Sequence, residues 1–470
     1  MREPPVALRR QLTAWDLTLI GVGATIGAGI FVLAGPAASQ WAGPAVSLSF
    51  VIAAVACACG ALCYAELAVM MPQAGSAYSY ALAATGSFFA WIVGWNLVLE
   101  YLACASTVAV GWSAYFTEFV GDLGIRLPRR YSSAPIDVDG NYHLIATGAL
   151  LNLPAAAIVA VLTVLLLFGI GATARVNNLM VWIKVGIVLL VIVCGAAFVH
   201  PANWHPFMPP NTGHFGRFGV SGVFRGAALM FFAYIGFDTV STLAQEAKNP
   251  QRSLPLGLLG SLGICAVLYV AMAVVMTGML SYQKLGVANP VTVALVQAGP
   301  RLSWLVPLVG IAAIVGLSSA ILSSILGQSR IFYVMARDGM VPGLFLKIHP
   351  RFQTPFVGTL CIGIGAAFIA ACLPIEALGE LVSMGTLVAF MSVCISVLKL
   401  RHSHPDLPRP FRVPFSPLVP VAGIACCLLM MAFLPGATWI RLAAWTLIGL
   451  AIYWLRRHKI RARSPAALAS

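Results

Sequence analysis

Three ionisable residues of this chain stand in apolar surroundings and set the chemical question. They are Lys184 in ARVNNLMVWIK, Glu100 in WNLVLEY and Asp238 in MFFAYIGFDTVST. An unpaired charge in lipid costs at least about 2.5–3.5 kcal/mol, so each needs a partner, a cavity or a proton. Two readings of Lys184 stand side by side. It lies roughly 9 Å into its apolar run at 1.5 Å per residue, so its stem could snorkel to the near interface. It could instead be a buried amine that gains and loses a proton. Glu100 is too deep to reach water unless a cavity does. Glu66 in YAELAVMMP and Arg330 in GQSRIFY lie nearer the run ends, where a structural ion pair or gate latch fits.

Glycine supplies the second chemical signal. GVGATIGAGIF holds Gly21, Gly23, Gly27 and Gly29, and each glycine costs a helix roughly 1 kcal/mol relative to alanine. Small residues could serve close helix packing. A nucleotide loop is excluded, because the spacing is GxGxxxG with no strand before it. The remaining reading is an unwound segment whose freed N–H groups face a carboxylate at the N-terminus of the following half-helix. Gly236, between Tyr234 and Asp238, marks a second interruption. The two interrupted runs are the first and the sixth, where a repeat of five helices places equivalent elements.

Other chemistries find no support. The eight histidines lie in polar loops or near run ends, and the eleven cysteines lie inside apolar runs, where they act as small hydrophobes. Cys57, Cys59 and Cys63 are dense but lack CxxC spacing and a neighbouring His. No metal site, cofactor or disulfide framework is expected. A membrane enzyme would set a His, Ser or acidic constellation at one membrane face, and no such constellation is present.

The elements that must position these residues follow from composition. The chain has 470 residues, 60% hydrophobic and 9% charged, against roughly 25% charged in a soluble protein. A water-soluble globule is excluded, and the net charge of +14 reads as topology rather than as nucleic-acid binding. The long continuous apolar runs are helices, since only helices and closed barrels satisfy their backbone in lipid. Twelve spans are predicted, at about 15–40, 45–71, 87–116, 153–171, 178–199, 219–244, 256–280, 304–335, 355–373, 377–400, 417–434 and 438–456. Arg2, Arg9 and Arg10 precede the first, and Arg456, Arg457, Lys459, Arg461 and Arg463 follow the last. With most other cations in loops on the same side, both termini are expected in the cytoplasm. The longest connection, 117–152, is expected outside as an irregular cap. The loops EAKNPQRSLP, ARDGMVPGLFLKIHPRFQTP and LRHSHPDLPRPFRVP are expected inside, their cations anchored at the headgroups.

Taken together, GVGATIGAGIFVLAG (21–35), CYAELAVMMPQAGSAYSY (63–80), WNLVLEY (95–101), ARVNNLMVWIK (174–184), FFAYIGFDTVSTLAQEAKNPQRSLP (231–255) and GQSRIFYVMARDGMVP (327–342) resemble the amino acid, polyamine and organocation (APC) transporter superfamily. Within it they are most similar to bacterial relatives of the cationic amino acid transporters. The resemblance implies an all-α membrane protein of the LeuT type with two inverted repeats of five helices, helices 1 and 6 being broken. Residues 15–200 would form the first repeat and 201–400 the second. Residues 401–456 would hold peripheral helices 11 and 12, and 1–14 and 457–470 would be cytoplasmic.

By similarity, the backbone of Ile26, Gly27, Ala28 and Gly29 would receive a substrate carboxylate. Carbonyls around Phe232, Ala233 and Ile235 would receive the α-amino group, with Phe232 as an aromatic gate, and Asp238 would lie at the same break. Many relatives carry Thr or Ser where this chain has Ala28, so recognition would fall on backbone amides alone. Lys184 matches a lysine that replaces a sodium ion in relatives, which favours the proton-linked reading.

The expected activity is proton-coupled symport of a small neutral amino acid across a bacterial inner membrane, with Glu100, Ile321, Ser323 and Ser324 as candidates for specificity or coupling. An exchanger or a cationic amino acid carrier on the same fold is the alternative, and Glu100 would serve a cationic side chain if it faces the cavity. The expected partners are the amino acid, protons and the bilayer, without nucleic acid. A channel fits less well, because broken helices suit an occluded site.

Overall fold

A computed structural model describes residues 11–138, 144–168, 170–287, 289–349, 352 and 354–461. Arg2, Arg9, Arg10, Arg351 and Arg463, and the tail 462–470, lie outside the described residues. The chain is predominantly helical, and among the described residues eight helical segments are long and apolar enough to cross a membrane. Three shorter apolar helices, Leu153–Leu167, Phe356–Cys372 and Leu418–Ala432, fall below that length.

The first run is not one helix. Thr13 and Asp16 close a capping box at the start of α1 (Ala14–Thr25), satisfying donors that a helix N-terminus leaves open. Helix α1 stops at Ile26, whose ψ of 97° leaves the helical region. The chain resumes as a wide π turn over Gly29–Leu33, then α2 (Ala34–Ala37) and a second π turn over Ala38–Ala42. Gly43, at φ +63°, turns the chain into α3 (Val46–Met70).

Beyond α3 come α4 (Ser76–Thr85), α5 (Ser87–Asp122), the single turn α6 (Arg129–Ser132), α7 (Leu153–Leu167) and α8 (Ile170–Ala196). The 117–152 connection is more ordered than an irregular cap. Helix α5 runs six residues past the expected end at 116, and β1 (Ile136–Val138) pairs antiparallel with β2 (Leu144–Ala146), Asp137 opposite Ile145.

The second interruption lies between α9 (Gly219–Tyr234) and the single turn α10 (Thr239–Thr242). Ile235 is extended at ψ 139°, and Gly236 has φ +118°, a conformation that an L side chain strains. The remaining helices are α11 (Pro250–Met279), α12 (Pro290–Gln297), α13 (Leu305–Arg337), α14 (Phe356–Cys372), α15 (Ile375–Ser403), α16 (Leu418–Ala432) and α17 (Gly436–Arg461). Helix α11 packs on α1 and α3, and α3 packs on α9, while α5 packs on α13, α14 and α15. Helix α8 lies against α1, α11 and α13.

Two ion clusters tie helix ends together. Glu66, at the end of α3, accepts from Arg401 Nε at 3.0 Å, Arg401 Nη2 at 2.5 Å and the Val413 N–H at 2.6 Å. Arg409 reaches the carbonyls of Leu400, His404, Pro405 and Leu407. These two arginines fold the 400–414 loop onto a buried carboxylate, so at these positions headgroup anchoring gives way to internal pairing. Arg330 of α13 donates to Glu246 at 2.8 Å, both buried. The Glu246 carbonyl accepts the N–H groups of Gln11 and Leu12, and Leu12 bridges Ala247, so the segment before α1 straps to the segment after α10.

Candidate functional site

Breaking a helix within a packed protein creates two ends, and each needs partners. The last carbonyls of α1 have no intrahelical donor, and they carry the negative end of the helix dipole. Side chains supply the donors here. Lys184 Nζ donates to Gly23 O at 2.6 Å and Ile26 O at 2.8 Å, Ser319 Oγ lies 2.9 Å from Gly23 O, and the Tyr269 hydroxyl donates to Thr25 O at 2.7 Å. Lys184 also donates to Ser319 Oγ at 2.7 Å. An ammonium has three N–H donors, and all three are used.

Lys184 is 0% exposed, so its stem does not snorkel out to the interface. It joins α8 to α1 and α13. Gly316, one turn before Ser319 on α13, leaves room for the Lys184 stem, since a Cβ there would sit 3.2 Å from Lys184 Cδ.

On the far side of the first break, the N–H groups of Gly27, Ala28 and Gly29 open the second half-helix, so they lack partners within it and sit at its positive end. Across from them α9 ends in carbonyls, the Phe232 carbonyl accepting the Ile235 N–H at 3.1 Å. The two breaks touch. Gly29 lies directly on Ala233, with no room for a side chain, and a Cβ on Gly236 would lie 2.7 Å from the Ala24 carbonyl carbon. Gly27 faces Ala320 of α13. Ile26, Ala28, Phe232, Ala233 and Ile235 are all buried. A helix N-terminus, with its free N–H groups, and a helix C-terminus, with its carbonyls, thus meet in one buried place.

Asp238 is buried beside the second break and fully engaged. Its Oδ2 accepts the Tyr101 hydroxyl at 2.8 Å, and its Oδ1 accepts the Gly236 N–H at 3.3 Å. It therefore fixes the break and Tyr101 together. Glu100, one residue before Tyr101, lies against Gly385 of α15 and within electrostatic reach of Asp238. Its neighbour in hydrogen-bonding range is Thr386 of α15, whose hydroxyl donates to the Val382 carbonyl at 3.0 Å.

The α13 candidates separate. Ser324 donates to the Ala320 carbonyl at 2.9 Å and lies 3.5 Å from Cys104 Sγ. The Ser323 hydroxyl is buried without a partner, and Ile321 is fully buried. Sequence reasoning missed Ser319, Tyr269 and Tyr101. Ser319 was discoverable, lying one helical turn before Ser323 on the same stripe, whereas the two tyrosines carry no local signal.

A family model described as "Amino acid permease" matches residues 12–455. The chain is 44% identical to the branched-chain amino acid permease BcaP of Bacillus subtilis, over 96% of this chain and 94% of that protein. It is 42% identical to the methylthioribose transporter of the same organism, over 97% of this chain and 95% of that one. It is 40% identical to the vacuolar cationic amino acid transporter 4 of Arabidopsis thaliana, over 86% of this chain and 65% of that protein.

Proposed function

Because the chain belongs to the amino acid permease family of the APC superfamily, and is accordingly a multi-pass membrane transporter and not an enzyme, we propose that it carries small neutral L-amino acids by proton-coupled symport. In this reading the substrate carboxylate binds the N–H groups of Gly27, Ala28 and Gly29. Its α-amino group binds the carbonyls at the end of α9, and Phe232 closes over it. Twelve crossings, five paired with five in inverted repeats and two peripheral, hold both termini in the cytoplasm of a bacterial inner membrane.

The observation that carries the coupling is the contact of Lys184 with Gly23 O and Ile26 O, on the unwound segment that would bind the carboxylate. A proton on that amine and a substrate on that backbone bias the same element, which is what linkage between two ligands requires. Movement of α1 and α9 against α5, α13 and α15 then exposes the site to each side in turn.

The test is uptake of labelled alanine into proteoliposomes with and without an inward proton gradient. Gradient-stimulated uptake is expected, lost in Lys184→Ala. Wild-type uptake that ignores the gradient, or a Lys184→Ala variant that keeps its response, overturns the coupling.

Relatives named for branched-chain and for cationic amino acids bracket the side-chain preference. The apolar lining of Phe232, Ile235 and Ile321 supports a neutral aliphatic side chain. The buried carboxyl of Glu100, with no cation beside it among the described residues, supports the second reading, a cationic substrate. Competition by arginine as strong as that by alanine selects it, and trans-stimulation without any response to pH selects an exchanger.

A further inference from the structure

In the proton-coupled reading the proton on Lys184 must leave on the cytoplasmic side, and toward that end of α8 the structure places the polar side chains of Asn177 and Asn178. Asn177 lies seven residues before Lys184 on α8. That is two helical turns, so both face the same side, separated by about 10 Å along the axis. Its side chain packs on Gly23, where a Cβ would sit 2.9 Å from Asn177 Nδ2 and 3.0 Å from Oδ1. Gly23 is the residue whose carbonyl accepts from Lys184. Asn177 is 2% exposed, and neither amide atom has a protein partner.

A buried amide unsatisfied on both sides is rare, and bridging water is the partner that such groups most often take. The next residue, Asn178, lies 3.5 Å from Asp16 Oδ1 through Nδ2. Asp16 is partly exposed and caps the start of α1. Ionisable groups beside this column include the Cys265 thiol and Tyr269 of α11 near Lys184, and Asp16 at the mouth.

We infer that Asn177 is a positioning residue for proton release, holding water between Lys184 and the cytoplasmic mouth at Asn178 and Asp16. The Lys184 ammonium gives its proton to this water, leaving a neutral amine. The water passes a proton outward past Asp16 to the cytoplasm, and the amine is reprotonated from the opposite side in the next cycle. The amide supplies one donor and one acceptor to orient the water and is itself unchanged. This inference rests on the proton-coupled reading.

The test separates net symport from exchange, since exchange of internal for external substrate needs no proton to leave the carrier. Purified full-length protein in proteoliposomes is assayed for gradient-driven alanine uptake and for alanine–alanine exchange. Asn177→Leu, which keeps the branched shape and removes the amide, is expected to lose at least about tenfold of driven uptake with exchange within about twofold of wild type. Asn177→Ser, whose hydroxyl can hold a water, is expected to recover most of it. Should the leucine variant fail to fold, Asn177→Val is scored by the same criteria.

Equal loss of exchange and driven uptake makes Asn177 a packing residue and overturns the inference, as does unimpaired driven uptake in the apolar variant. Wild-type uptake indifferent to the gradient overturns the coupling itself and the relay with it, a result distinguishable from failure of the relay alone.

Discussion

Replacing Gly236 by alanine adds one methyl group at the most constrained point of the second break. With φ at +118°, an L residue there carries strain of order 1–3 kcal/mol. The new Cβ would also lie 2.7 Å from the Ala24 carbonyl carbon, 2.8 Å from its oxygen and 2.9 Å from its Cβ. Two of those atoms are backbone, so relief requires α1 to move away from α9, and overpacking of this kind costs typically about 1–3 kcal/mol more. Even a total near 3 kcal/mol lowers the population of the joined breaks about a hundredfold, at 1.4 kcal/mol per factor of ten.

The control is the same change at Gly263 of α11, where a Cβ would meet no heavy atom within 4 Å. There the helix gains roughly 0.5–1 kcal/mol from the lower backbone entropy of alanine. The assays are the apparent melting temperature of purified protein, with and without alanine, and the KM for alanine uptake. Gly236→Ala should melt lower, lose ligand stabilisation and raise KM, and Gly263→Ala should match wild type or exceed it. Wild-type affinity and melting in Gly236→Ala would refute the reasoning. Equal damage from Gly263→Ala would show that these helices need glycine for mobility rather than for close approach.

Two further predictions concern the ion clusters. Glu66→Gln removes the charge that binds both Arg401 nitrogens and the Val413 N–H, and because Arg401 is partly exposed, the loss should be about 1–3 kcal/mol, read as a lower melting temperature with KM unchanged. Glu246→Gln leaves Arg330 charged and almost fully buried, so about 3–5 kcal/mol of destabilisation is expected; Arg330→Met in the same chain should recover part of it, a non-additivity that a double-mutant cycle measures.

Much of the architecture was legible because lipid imposes few solutions. The shortage of charge fixed the class, and Gly27 and Gly29 with Gly236 and Asp238 marked the two breaks, while Gly21 and Gly23 stay within α1 and serve close packing against Ser261 and Asn177. What could not be read were contacts between residues far apart in sequence. Tyr101 binds Asp238 from 137 positions away, and Tyr269 binds Thr25 from 244. The 400–414 loop looked like a headgroup anchor because its arginines are dense, while its true partner, Glu66, lies 335 positions upstream of Arg401. Helices α4 and α12 were missed for another reason: at ten and eight residues they are too short for periodicity to separate them from a loop.

The site's hydrogen-bond count explains why a proton at Lys184 would matter to the break. The ammonium matches three donors to three acceptors, Gly23 O, Ile26 O and Ser319 Oγ. A neutral amine has only two N–H donors, so loss of the proton leaves one acceptor unserved. The single Ser319 hydroxyl proton, shared between Gly23 O at 2.9 Å and Gly316 O at 2.8 Å, still serves Gly23, and Thr25 O keeps Tyr269. Ile26 O is the carbonyl with no second donor, and it belongs to the residue that ends α1. Meanwhile α1 stays joined to α9 through Gly236 and to α11 through Tyr269, contacts that do not involve the amine. Deprotonation therefore weakens the hold of α8 and α13 on the break while leaving the contacts of α1 with the second break and with α11 in place, the division of helices that the proposed alternating access needs at the proposed substrate position.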